Sequence, residues 1–125
     1  MLLQDFYKVD KIDTINEGKY LASITLNKDH DIFKGHFPGN PVTPGVCMMQ
    51  IIKEITESVL NVSLTMVSTS NVKFMALINP EVNSKLVLDL EISENENSEI
   101  KVKNTTSFED TVALKLSNTY KRTTS

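Results

Sequence analysis

Pro44-Gly45-Val46-Cys47-Met48-Met49-Gln50-Ile51-Ile52-Lys53-Glu54-Ile55-Thr56-Glu57-Ser58-Val59-Leu60 is the one stretch of this 125-residue chain that reads as a long helix. Proline suits the first helical turn because the N–H it lacks would have no partner there, and Thr43 just before it carries a capping hydroxyl. At about 100° per residue, Met48, Ile52, Ile55 and Val59 cluster on one side, with Gln50, Lys53, Glu54 and Glu57 on the other. Val46 and Cys47 project toward the Gln50 side, so the first turn is expected to be sheathed all round. An α+β architecture follows, with the helix mostly wrapped by an antiparallel sheet.

Outside the helix the chain has the period of two that marks half-buried strands. Leu86, Leu88, Leu90 and Ile92 alternate with Asp89, Glu91 and Ser93 over Lys85 to Glu94. A polar tip, Glu94 to Asn97, then leads into Glu99 to Phe108, where Ile100 and Val102 alternate with Lys101 and Lys103, so the two form a hairpin. Tyr20, Ala22, Ile24 and Leu26 mark another strand, and Val112, Leu114 and Leu116 a further one. Leu64 to Ala76, rich in Thr, Val and Met, is a strand expected to bend near Ser68 to Asn71.

Composition narrows the function classes. One domain over residues 1–125 is expected, with 40% hydrophobic and 23% charged residues, the balance of a folded globular protein. Thirteen Lys and Arg stand against 16 Asp and Glu, so no basic excess favours nucleic acid. A single cysteine, Cys47, excludes an internal disulfide, and His30, His36 and Cys47 lack the paired spacings of a zinc site, so no metal is expected. No apolar run reaches a membrane span and no basic leader precedes one, and a reducing, cytoplasmic setting is the expectation.

The oddest segment is Asp29 to Val46, which holds three of the four prolines and three of the four glycines. Proline fixes φ and glycine opens φ values closed to other residues, so the segment is expected to hold one unusual shape. His36 stands in it, eight residues before Pro44. A histidine exchanges a proton near neutral pH, and helix N-terminal amides polarise an oxygen that bears negative charge, which are two parts of an enolate-forming site. Residue type alone favours a histidine that merely ties the loop together, so the surrounding motif decides.

Gly35-His36-Phe37-Pro38-Gly39-Asn40-Pro41-Val42-Thr43-Pro44-Gly45-Val46 closely resembles the His-Phe-Pro-Gly-x-Pro-x-x-Pro-Gly-Val motif of bacterial 3-hydroxyacyl-acyl carrier protein dehydratases of the FabZ and FabA type. Asp31 to Lys34 looks like the lead-in of that family, and Asn71 to Pro80 like the strand and proline turn after its helix. The resemblance spans roughly residues 20 to 120 and implies a hot-dog fold. By position, His36 corresponds to the histidine that takes the α-proton of a 3-hydroxyacyl thioester. Gly45 corresponds to the glycine whose N–H polarises the thioester carbonyl, and Val42 to the residue whose carbonyl orients the histidine. No cofactor is implied, because the thioester itself acidifies the α-proton. The implied partners are a carrier-linked acyl substrate, with carrier protein ahead of coenzyme A, and a second copy of the chain in a homodimer or higher homo-oligomer. Phe37, Met48, Met49, Phe74 and Met75 are candidate linings for the acyl chain. Lys34, Lys73 and Lys85 are candidates by position for an acidic carrier.

The chain departs from the motif five residues after the glycine, where the family has Glu or Asp and this sequence has Gln50. Glutamine hydrogen-bonds a hydroxyl but gives it no proton. The family's Gln four residues later is here Glu54, so the two residue types are exchanged. Either Glu54 supplies the acid through a shifted pocket or a water, or it begins a solvated stripe with Glu57, which the frequency of exposed helical Glu favours. A dehydratase is the first reading. A hot-dog subunit with weakened catalysis is the second, and an acyl thioesterase a third, against which the intact histidine loop argues. A Cys47–His36 nucleophile pair is disfavoured because the position is normally apolar, and His30 is expected to be exposed.

Overall fold

In the computed structural model, which describes residues 5–35 and 41–123, the alternation of Leu86, Leu88 and Leu90 is realised as a strand with one fully buried face. The elements run β1 (Tyr7–Asn16), β2 (Lys19–Leu26), α1 (Asp31–Gly35), α2 (Gly45–Leu60), β3 (Leu64–Phe74), β4 (Lys85–Glu94), β5 (Ile100–Phe108) and β6 (Thr111–Arg122). The six strands form one curved antiparallel sheet in the order β1-β2-β4-β5-β6-β3. β4 and β5 make the expected hairpin, with Glu94 opposite Ile100. At its tip, the Asn95 side-chain oxygen accepts the N–H groups of Asn97 and Glu99 at 2.9 and 3.0 Å. β3 bends as expected, with register shifts at Met66/Ser68 and Ser70/Lys73 and Asn71 at φ 54°.

α2 lies across the sheet and buries Cys47, Met48, Ile51, Ile52, Ile55 and Thr56. They share one core with Ile24 of β2, Leu88 and Leu90 of β4, Val102 of β5 and Leu114 and Tyr120 of β6. Each such aliphatic side chain removed from water stabilises the fold by roughly 1.5 to 3 kcal/mol. The helix stops at Asn61, in the left-handed region at φ 55° that Asn tolerates, and its N–H returns to the Glu57 carbonyl.

Several local expectations are corrected. Thr43 does not cap α2. Pro44 is extended at φ −62° and ψ 142° and is itself the N-cap residue, so Thr43 falls one position too early. The first turn is not sheathed, since Val46 is 59% exposed while Cys47 beside it is buried. The loop before the helix contains a short helix, α1. β1 has no counterpart in the sequence pattern, every residue from Lys8 to Ile12 being exposed, and in β6 Ala113, which alternation set opposite Leu114, is equally buried, next to the Thr106/Ser107 shift in β5.

Candidate active site

The start of α2 is built by tying the preceding strand of loop to the segment after β3. Thr43 N–H donates to the Ile78 carbonyl at 2.8 Å, and Met75 N–H to the Ala113 carbonyl of β6 at 2.8 Å. Cys47 and Met48 N–H both donate to the Pro44 carbonyl, at 3.0 and 3.3 Å. The N–H groups of Gly45 and Val46 therefore have no acceptor among the described residues, and the helix dipole adds positive potential where they stand.

Gly45 carries a second constraint. A Cβ placed there would lie 2.7 Å from Cζ of Phe74, so the Phe74 ring at the end of β3 rests on the glycine backbone. From this contact opens a cleft of about 650 Å³ lined by Val42, Thr43, Pro44, Gly45, Val46, Met48, Met49 and residues 74–78. Its walls are mostly apolar, and Phe74, Met75 and Leu77 are exposed, Leu77 to 71%. The cleft therefore brings Val42, Gly45, Met48, Met49, Phe74 and Met75 together. His36 and Phe37 lie outside the described residues.

Gln50 stands one turn beyond Val46 and is not among the cleft-lining residues. Its Nε2 donates to Glu54 Oε2 at 2.9 Å, and Glu54 Oε1 accepts the Tyr7 hydroxyl of β1 at 2.7 Å. Glu54 is half-buried, so the solvated-stripe expectation is corrected. Glu57 is not bare either, because it accepts Leu64 N–H at 2.8 Å and pairs with Lys53 at 3.6 Å. Burial, then the hydrogen bond to Glu54 and the charges of Glu54 and Glu57, push the Tyr7 phenol well above its ordinary range. Tyr7 has no signal in the sequence, since it opens a strand without period and meets Glu54 only in the folded chain.

Other candidates separate from the cleft chemistry. Cys47 is 2% exposed and burial pushes its thiol up, the reverse of an activated nucleophile. His30 is half-buried, not exposed. Its Nδ1 accepts Ile32 N–H at 3.1 Å and its ring packs edge-on against Phe6. Lys34 pairs with Asp31 at 3.6 Å, while Lys73 and Lys85 are exposed. Among the described residues no cluster of His, Cys, Asp and Glu is suited to a metal ion, and no helix is long and apolar enough to cross a membrane.

One central helix wrapped by a six-stranded antiparallel sheet defines a hot-dog-fold protein. Residues 12–116 match the ApeI-like family, described as ApeI dehydratase, and the chain belongs to that family within the FabZ and FabA-type hot-dog dehydratases. The 3-hydroxyacyl-[acyl-carrier-protein] dehydratase FabZ of Lactobacillus helveticus is 29% identical over 115 residues, covering 84% of this chain and 75% of that enzyme. FabZ of Caldicellulosiruptor saccharolyticus is 42% identical over 53 residues, 40% of this chain and 36% of that one. For several similar FabZ enzymes the match spans 30% to 52% of their length. The dehydratase heterocomplex ApeI:P from Xenorhabdus doucetiae superposes with a TM-score of 0.65 at 20% identity, over 94% of this chain and 97% of that one. A hypothetical thioesterase with coenzyme A from Streptococcus pneumoniae gives 0.66 at 13% identity, over 98% and 91%. At these identities the two structures show the fold alone.

Proposed function

We propose that this protein dehydrates a 3-hydroxyacyl thioester carried on an acyl carrier protein, giving the trans-2-enoyl thioester and water. One observation carries the reading: the N–H groups of Gly45 and Val46, without an acceptor among the described residues, stand at an apolar cleft directly after a dehydratase-type histidine motif. An α-proton is removable only if the enolate oxygen is stabilised, and preformed N–H donors do that without reorganisation. His36 takes the proton, Gly45 N–H polarises the thioester, Val42 orients the histidine, and Gln50 meets the departing hydroxyl. Because glutamine gives no proton, the imidazolium formed on His36 returns it to the hydroxyl oxygen, so water leaves and the histidine is neutral again. Phe37, Met48, Met49, Phe74 and Met75 hold the acyl chain. No cofactor enters this scheme, and the site of action is the cytoplasm, in acyl-chain synthesis.

The exposed apolar group of Val46, Phe74, Met75 and Leu77 and the edge position of β3 support assembly with a second copy of the chain. The second reading, a partner subunit with weak catalysis, is favoured by Gln50 itself. The solved relative named a heterocomplex makes a different partner chain the alternative to a homodimer. Purified protein is to be assayed with 3-hydroxyacyl carrier protein substrates of several lengths, beside His36→Ala. Dehydration lost by 10² to 10⁴ in the variant, the usual effect of removing a general base, supports the enzyme reading. Acyl binding without turnover in the native protein shifts the reading to the partner subunit.

A further inference from the structure

Gln50, Glu54 and Tyr7 form a chain of hydrogen bonds that crosses from α2 to β1. Glu54 lies one helical turn after Gln50, and helical side chains lean toward the helix N-terminus. The Glu54 carboxylate thus reaches back to the Gln50 amide, which stands one turn after Val46 of the cleft. Both carboxylate oxygens are engaged, Oε2 by Gln50 Nε2 at 2.9 Å and Oε1 by the Tyr7 hydroxyl at 2.7 Å. The neighbouring cation, Lys53, is paired with Glu57. An amide oxygen at 2.9 Å from a carboxylate oxygen would set two acceptors against each other, so Nε2 is the atom that faces Glu54 and Oε1 is turned away from it.

Resting on the dehydratase reading, we propose that Glu54 and Tyr7 are positioning residues that lock the Gln50 amide, so that Gln50 presents its Oε1 as an acceptor to the 3-hydroxyl of the substrate. Glu54 then gives no proton to the leaving group. It is held half-buried between two donors, and its carboxylate polarises the Gln50 amide and strengthens Oε1 as an acceptor. The specificity follows from the same geometry. A 3-hydroxyacyl thioester has the donor that Oε1 requires, whereas a 3-oxoacyl thioester has only an acceptor, and a site built to pair a hydroxyl rejects the analogue that lacks its proton.

The test uses Tyr7→Phe and Glu54→Gln, which preserve shape, with Arg122→Gln as a control that breaks the ion pair to Glu94, both residues lying outside the Gln50–Glu54–Tyr7 chain. The expected result has three parts. The Gln50 side-chain amide signal in a nitrogen-15 spectrum of the full chain moves in both variants and stays in place in the control. With a 3-hydroxyacyl carrier protein, kcat falls about tenfold to a hundredfold, as misplacement of a reacting group does, while KM changes less than about twofold. A 3-oxoacyl thioester inhibits the native protein at least about tenfold more weakly than a 3-hydroxyacyl thioester binds, and Gln50→Leu narrows that gap. Native turnover with unchanged kcat in both variants, an unmoved Gln50 signal, or equal affinity for the two thioesters overturns the positioning role alone. A native chain that neither binds nor dehydrates any 3-hydroxyacyl thioester, although its Gln50 signal answers to Glu54→Gln, overturns the dehydratase reading and this role with it.

Discussion

The hydroxyl of Tyr7, the first residue of β1, donates to Glu54 in the third turn of α2 at 2.7 Å across 47 residues of chain. The bond ties the edge strand to the helix that carries the candidate site. Tyr7→Phe keeps the ring and loses the donor, and it is expected to cost about 1 kcal/mol, the net worth of one hydrogen bond. A small fall in the thermal midpoint would register it. No change in midpoint would show that water replaces the Tyr7 hydroxyl without loss.

Tyr7, Tyr120 and Cys47 give the fold a common alkaline weakness. Each is pushed up chiefly by burial, so the folded chain keeps protons that the unfolded chain releases. Their stabilising effect is fully present below the ordinary values of 9.0 for the thiol and 10.0 for the phenols, and is lost as pH rises beyond them. Denaturant midpoints followed from pH 7 upward are expected to be flat and then to decline above about pH 9. The decline is shallower in Tyr7→Phe. An identical slope in that variant would remove Tyr7 from the account.

Gly45 and Phe74 form a lock that one methyl group breaks. With a Cβ only 2.7 Å from Cζ of Phe74, Gly45→Ala forces the ring out of its place beside the cleft. Because Phe74 is 59% exposed its ring has room to swing aside, so the cost is expected to fall below the roughly 1 to 3 kcal/mol of overpacking a closed core. In a Phe74→Ala background the same change meets no ring and is expected to cost much less, so a double-mutant cycle reads a coupling above about 0.5 kcal/mol. Additive effects would mean that the ring and the glycine are independent.

Gln50→Glu restores the residue type that the family has five positions after its glycine. It also replaces the donor facing Glu54 by a second carboxylate, and two carboxylates that close raise each other's pKa, so one stays protonated near neutral pH. Dehydration is expected to rise, with a new loss of rate on the alkaline side as that proton is released. A rate at or below the native one at every pH would show that an acid at residue 50 has no access to the leaving hydroxyl.

Cys47 offers a test of the buried side of the first turn. A thiol 2% exposed and pushed up by burial is expected to react with a disulfide reagent far more slowly than a small-molecule thiol, and to reach the free rate only on unfolding. Rapid labelling of the native protein would contradict the packing of this turn against the core.

The sequence by itself determined the elements whose burial has a regular period. Leu86, Leu88 and Leu90 define β4, and Ala22, Ile24 and Leu26 define β2. Met48, Ile52 and Ile55 define the buried side of α2, because a face that must leave water repeats at the period of its own backbone. The loop motif from Gly35 to Val46 likewise named the family without any coordinates. Tertiary structure alone decided what has no local period. β1 lies at a sheet edge with its residues largely exposed, so no alternation marks it, and Pro44 rather than Thr43 is the N-cap, while the Thr43 N–H bonds to Ile78. The Phe74 ring reaches Gly45, and the Tyr7 hydroxyl reaches Glu54 across 47 residues of chain. Such contacts depend on which strands become neighbours, and that is settled by how the whole sheet curls around the helix, not by the residues beside them in the chain.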